Sequence, residues 1–233
     1  MPTADRSRLP KLMSFDVFGT LISVRDSSYG AFERILAATN AGNVDVKDFW
    51  EAWEHRNIER YWQPYQSYRA ICRASLADTF ARFQIDGNPD LIGHYFESFS
   101  KFSLYEDVLP TLDRLARHTR LAIVSNIDDD LLAATPMPRN FDLICTAERA
   151  KGYKPDGTLF RYLLEHAGVA REDILHSGQS QFTDLVGGKP LGLTIAWINR
   201  RSIPLSEAVP RPDFVFRDIA SLLDLIGLEQ QFV

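Results

Sequence analysis

The stretch Lys11-Leu-Met-Ser-Phe-Asp16-Val-Phe-Gly-Thr-Leu21 constrains the fold of this chain most. It is an apolar run too short for a helix, and it delivers one carboxylate into a glycine-bearing turn. Such a run reads as a strand buried on both faces. Comparable runs return at 120–125, 142–146, 173–177, 193–198 and 213–216. Helical patterns fall between them at 107–118, 157–168 and 218–227, the last with Asp218 as N-cap and Gly227 as its stop. Strands alternating with helices predict an α/β fold with a parallel sheet and crossover helices. Ligands of such sheets bind beyond the carboxyl ends of the strands, which is where Asp16 stands. The segment 133–140, with Pro136 and Pro138, reads as a short loop.

Residues 26–104 carry no convincing strand pattern and read as helices, including a run from Ser67 to Phe83. This predicts a helical cap domain, 26–104, inserted into a core domain made of 1–25 and 105–233. Trp50, Trp53, Ile58, Tyr61, Trp62, Tyr65 and Tyr68 crowd one part of the cap. These rings either build the cap's own core or roof a small apolar pocket over Asp16 and keep water out.

A length of 233 residues with 45% hydrophobic content suffices for one core and a smaller lid. A net charge of −5 without a basic block argues against a nucleic-acid partner. Cys72 and Cys145 are the only cysteines and lie far apart, which fits a reducing cytoplasm rather than a disulfide framework. Residues 1–10 lack the apolar core of a signal peptide. No run of about eighteen apolar residues predicts a membrane span. His55, His94, His118 and His166 show no metal-ligand spacing, and His176 reads as a structural histidine.

Further strand-ending polar residues join Asp16. Ser125-Asn126 closes the apolar run 121–124; Lys154-Pro155-Asp156 precedes Phe160; and His176-Ser-Gly-Gln179-Ser-Gln181-Phe-Thr-Asp184 follows the fourth run. In this order the motifs resemble those of the haloacid dehalogenase superfamily, over nearly the whole chain. The resemblance implies a Rossmann-like core with an inserted cap. Asp16 is then the covalent nucleophile, Ser125 and Asn126 hold the substrate anion, Lys154 balances the nucleophile's charge, and Asp184 activates or orients water. It also implies contacts to substrate from Val17, Phe18, Thr20, Gln179 and Gln181, with the main-chain amides after Asp16 facing the developing oxyanion.

Phosphatases of the superfamily carry a second Asp two residues after the first, where this chain has Phe18, and an acid where it has Gln179. Those acids protonate a leaving alkoxide and help hold Mg²⁺. Without them, a carboxylate pressed against a phosphate dianion at 4 Å costs about 8 kcal/mol at an effective dielectric near 20. Displacement of halide at carbon needs neither acid. The chain therefore reads as a metal-independent, cofactor-free hydrolase acting at C2 of a small 2-substituted carboxylate through an Asp16 ester, with (S)-2-haloacid dehalogenase first. Three alternatives stay open: carbon–nitrogen hydrolysis of the azetidine-2-carboxylate type, a weak phosphatase, and a noncatalytic binding module. A homodimer is admitted.

Dehalogenases receive the halide on a cap Arg. The matching segment here, Ala52-Trp53-Glu54-His55-Arg56, puts Glu54 at that place, so Arg56 or Arg60 is the expected substitute in a shifted register. The features Gln179-Ser180 and Trp197-Ile-Asn-Arg-Arg201 are similar to the azetidine-2-carboxylate hydrolase subgroup. An acidic Glu54 suits a departing ammonium nitrogen better than a halide.

Overall fold

The computed structural model describes residues 9–138 and 140–227. The first segment of the expected core, 1–8, and its last, 228–233, lie outside the described residues, as does Arg139 of the expected loop. Six strands form one parallel sheet in the order β5-β4-β1-β6-β7-β8. They are β1 (Leu12–Phe15), β4 (Arg120–Ser125), β5 (Leu143–Thr146), β6 (Ile174–Gly178), β7 (Thr194–Ile198) and β8 (Phe214–Phe216). Every residue of β1 and β6 is buried, as expected of strands covered by helices on both faces.

Period-two alternation divides the sheet's side chains between two cores. Leu12, Ala122, Val124, Ile174 and Ile195 pack with Leu159, Phe160 and Leu163 of α8 (Thr158–His166). Met13, Phe15, Leu121 and Ile123 face the other way, onto α5 (Val108–Leu115), which buries Val108, Thr111, Leu112 and Leu115 at i, i+3, i+4 and i+7. α6 (Asp129–Ala134) and α7 (Ala147–Ala150) flank β5. α6 runs through Ala134, so the expected loop starts only at Thr135. After β6 a π-helical turn, Gln181–Leu185, runs into α9 (Val186–Gly188). The last helix, α10 (Ser221–Leu225), is shorter than expected. Asp218 does not adjoin it as a cap but spans a preceding turn, accepting from the Ser221 amide and hydroxyl.

The helices after β1 are α1 (Arg25–Ala38), α2 (Val46–Arg60), α3 (Tyr68–Arg82) and the short α4 (Gly93–Glu97). Asp45 accepts from the amides of Lys47 and Asp48 at the start of α2, and Ser67 accepts from Ala70 at the start of α3. Phe32, Phe49, Trp53, Phe80 and Tyr95 interlock between these helices, with the Trp53 ring 4.9 Å from both Phe32 and Tyr95. The Trp53 indole donates to the Cys72 carbonyl at 3.0 Å, so its one polar atom is satisfied inside this cluster. Truncation of Trp53 to Ala is worth about 3–5 kcal/mol.

A feature not visible in the sequence ties the helical layer to the sheet. β2 (Ile22–Ser23) and β3 (Ser103–Leu104) pair antiparallel at the two chain crossings, Ile22 opposite Leu104. We propose the division into a core of 1–25 with 105–233 and a cap of 26–104 on the strength of this ribbon. The core loop after β4 also reaches the cap: Asp128 accepts from the amides of Tyr68 and Arg69 at the open N-terminus of α3.

Candidate active site

β1 lies between β4 and β6, so the chain's crossovers leave it in opposite directions and open a crevice at the strands' carboxyl ends. Asp16, one residue past β1, continues the ladder by donating its amide to Ser177 at 2.9 Å. The turn that follows needs Gly19, whose φ is +83° and where a Cβ would meet the Gln179 side chain at 3.0 Å. The turn brings the Thr20 hydroxyl to Asp16 Oδ2 at 2.7 Å, and Thr20 Oγ1 accepts in turn from the Gln179 amide at 2.9 Å.

Lys154 Nζ donates both to Asp16 Oδ1 and, at 2.8 Å, to Asp184 Oδ1. Its side chain is 1% exposed, so its charge is held by these two carboxylates and not by water. The backbone behind it is fixed by Asn126, whose Oδ1 accepts from the Lys154 amide at 2.9 Å. Asp184 enters from the π-helical turn and takes three donors: Lys154 Nζ, His176 Nε2 at 3.2 Å and the Ser180 amide at 3.0 Å. It fits there because Gly178 has no side chain; a Cβ would lie 2.3 Å from Asp184 Oδ2.

Burial pushes the Asp16 carboxyl above the ordinary carboxylate value, with Lys154 opposing and Asp184 reinforcing the shift. Burial acts on Asp184 in the same direction, but Lys154 and His176 outweigh it and hold that carboxyl at about 2. Burial works against the Lys154 charge and the two carboxylates restore it, with a net shift upward. The resting arrangement is an ionised Asp184 and a permanently charged Lys154 beside a nucleophile of enhanced basicity.

A cavity of about 230 Å³ opens over Asp16 between the sheet and the cap, lined on the core side by Phe18, Ser125, Asn126, Lys154 and Gln179. The Ser125 hydroxyl is buried without a hydrogen-bond partner among the described residues. The Asn126 amide group, its oxygen already engaged, is left to donate. Phe18 packs edge-on against Phe99 and Phe102, at 5.6 and 6.1 Å, and so closes the space where a second carboxylate would act. Val17, expected to touch the substrate, has no exposed surface and does not line the cavity.

The cap side is built mainly from one stripe of α2, joined by Tyr68 of α3 and Tyr95 of α4. Trp50, Trp53, Glu54, Asn57 and Ile58, with Tyr61 just beyond, recur at i, i+3, i+4, i+7, i+8 and i+11 and all face the cavity. Trp50, Trp53, Tyr61 and Tyr68 thus serve both as cap core and as roof, whereas Trp62 is exposed and Tyr65 packs on Tyr153 without lining the cavity. Glu54 is half-buried, and burial raises its carboxyl above the usual range, with Arg201 and Arg25 opposing. Asn57 Oδ1 and Trp50 Nε1 are buried without partners among the described residues.

The same helical geometry corrects two expectations. Arg56 and Arg60 fall on another face of α2, where they pair with Glu59 and Asp78 at 2.6 Å each, and neither reaches the cavity. The cations at the cavity are instead Arg25, at the start of α1, and Arg201, which donates to Gln179 Oε1 at 3.3 Å. Gln181 is also displaced from its expected role. Its side chain is taken up by the loop at 204–206, accepting from the Ser206 amide at 2.7 Å and donating to the Pro204 carbonyl. Asn57 was missed, although an amide on an otherwise aromatic stripe is a readable signal; Arg25 and Arg201 had no periodicity to reveal them.

The donor set does not fit Mg²⁺. That ion demands oxygen ligands in an octahedron, whereas an ammonium lies between Asp16 and Asp184, and Gln179 stands where phosphatases carry an acid.

Residues 13–198 match the family of haloacid dehalogenase-like hydrolases. The chain belongs to that family. Among its relatives, haloacetate dehalogenase H-2 of Moraxella sp. (strain B) is 24% identical over 226 residues, covering 93% of this chain and 97% of the relative. (S)-2-haloacid dehalogenase 4A of Burkholderia cepacia is 23% identical over 200 residues, covering 82% and 83%. The L-2-haloacid dehalogenase structure from Xanthobacter autotrophicus shares the fold, with a TM-score of 0.78 at 23% identity over 94% of this haloacid dehalogenase-like hydrolase and 99% of that chain. No helix among the described residues is long and apolar enough to cross a membrane.

Proposed function

We propose that this hydrolase acts without metal at C2 of a small 2-substituted carboxylic acid through an ester of Asp16, with 2-haloacids as the first substrate class. The observation that carries the reading is the Asp16–Lys154–Asp184 cluster: a desolvated carboxylate, raised in basicity, aimed into a cavity of about 230 Å³ that suits only a small acid. The substrate carboxylate is held by the Ser125 hydroxyl and the Asn126 amide. Asp16 attacks C2, the carbon–halogen bond breaks, and halide leaves with the bonding pair. Water then adds to the Asp16 carbonyl, whose oxyanion is met by Lys154 and by the Phe18 amide, which has no partner among the described residues. The 2-hydroxy acid and a proton are released and Asp16 is restored. Asp184, ionised and held by Lys154, His176 and the Ser180 amide, keeps Lys154 charged and in place and activates or orients the water.

A second reading is favoured by Glu54 and Asn57. Asn57 presents an acceptor oxygen without a hydrogen-bond partner among the described residues, and Glu54 a half-buried carboxylate, to the cavity within a wall of aromatic rings. That is the environment of an ammonium group, and it suits a strained cyclic 2-amino acid whose protonated nitrogen leaves C2 as an amine. Halide release and ring opening, measured over a panel of 2-substituted acids with exhaustive chelation, separate the readings. Turnover of at least one such acid under chelation is expected. A need for added Mg²⁺, with faster turnover of any phosphate monoester, overturns both.

A further inference from the structure

β6 is apolar or small throughout except for one histidine in its interior. His176 pairs in register with Ser14 of β1, and its ring has no exposed surface. Nδ1 lies 2.9 Å from the Ser14 hydroxyl, Nε2 lies 3.2 Å from Asp184 Oδ1, and the Phe160 ring stands nearly perpendicular to it at 4.9 Å. We propose that His176 is a positioning residue that pins Asp184, and through it Lys154, onto the nucleophile; this rests on the Asp16 ester reading above.

The donor and acceptor inventory fixes the direction of the chain. An ionised carboxylate has no proton to give, so Nε2 carries the hydrogen and donates to Asp184. In the neutral ring Nδ1 is then the acceptor, and the Ser14 hydroxyl is its donor. The imidazole is thereby held at both ends and cannot turn. Its Nε2–H meets the same oxygen that accepts from Lys154 Nζ, while the Ser180 amide takes Oδ2. Asp184 cannot rotate without giving up a donor, and Lys154 cannot leave Asp16 without uncovering Asp184. The charged groups facing this chain are Asp184 from the π-helical turn, Lys154 from the loop before α8 and Asp16 after β1. Ser14 and Phe160, on the remaining sides, are neutral.

Asp16, Lys154 and Asp184 together carry a net charge of −1, and His176 assists by holding Asp184 in place. Loss of the Nε2–H loosens Asp184 and with it the Lys154 ammonium that favours ionised Asp16, so the nucleophile loses its charge at a higher pH as the solution is acidified.

The test uses the full chain and follows the Asp16 ester by mass spectrometry in single turnover, with 2-chloropropionate and azetidine-2-carboxylate as probes. His176→Phe keeps a ring and removes the donor; it is expected to slow ester formation by roughly tenfold and to move the acid limb of the pH profile upward. His176→Gln keeps an amide donor and is expected to recover most of the rate and the original limb. A folded His176→Phe protein with unchanged rate and unchanged acid limb overturns the proposal. A structural role alone lowers the melting temperature without moving the limb. A second measurement is independent of turnover: long-range ¹H–¹⁵N correlations on the resting protein are expected to place a proton on Nε2, and a bare Nε2 with protonated Nδ1 overturns the proposal. If neither probe yields an ester, the ester reading fails by itself, and the tautomer still decides whether His176 holds Asp184.

Discussion

The two walls of the cavity are built in opposite ways. On the core side, each oxygen of Asp16 and Asp184 has a donor, and Lys154 is shared between them. On the cap side, Asn57 Oδ1 and Trp50 Nε1 are buried without partners among the described residues and Glu54 is half-buried. A buried polar atom left unpaired costs about 1–3 kcal/mol. The core wall therefore holds its two carboxylates preorganised and leaves the Ser125 hydroxyl for the substrate carboxylate, whereas the polar atoms of the cap wall are left for the rest of the ligand. We propose that reaction type belongs to the sheet and the choice of leaving group to the cap.

The comparison breaks most readily at the nucleophile. Asp16→Asn is expected to lower turnover more than a thousandfold, roughly the scale of removing a covalent nucleophile, with the circular-dichroism spectrum unchanged. Appreciable activity in a preparation free of deamidation removes the core wall's assigned role. Lys154→Met comes next, because it leaves two carboxylates buried together. It is expected to cost a further factor of roughly a hundred to a thousand in rate relative to the parent and about 3–5 kcal/mol in stability, read by urea unfolding. A mild loss of stability means that water reaches the cluster.

The cap wall is tested by selectivity. Glu54→Gln is expected to slow an amine substrate by roughly tenfold, the scale of losing one charged hydrogen bond, and to leave a 2-chloro acid unimpaired. If the panel yields only halide release, the same substitution should raise the rate, since a negative neighbour of the departing anion is gone. Equal effects on every substrate would show that Glu54 does not face the leaving group. The smallest effect is expected at Arg56→Ala and Arg60→Ala, whose partners lie on the outer face. Turnover should stay within about twofold and stability within about 1 kcal/mol, as for exposed ion pairs.

The sheet was legible because strands buried on both faces are near-continuous apolar runs, and all six expected runs are strands of the sheet. Asp16 and Ser125 were legible because the fold places polar residues at strand ends beside the crevice, whereas Lys154, on the loop before α8, was legible only through the resemblance of its motif. The β2–β3 ribbon was not, since two residues per strand show no periodicity. Arg56 and Arg60 were misplaced for a different reason: charge type was matched before helical face, and a shift of two positions along α2 turns a side chain by about 200°. Gln181 failed on a tertiary contact, the loop at 204–206, that no local pattern encodes. The geometry of His176 against Ser14 depends on strand order, which the sequence leaves open.

The central claim is that the product's new oxygen comes from Asp16 and not directly from water. Single turnover in ¹⁸O-water, with excess enzyme over the best substrate of the panel, tests it most directly. The account predicts unlabelled 2-hydroxy acid and one ¹⁸O atom in the peptide containing Asp16. Label in the product after a single turnover, with Asp16 unlabelled, contradicts it.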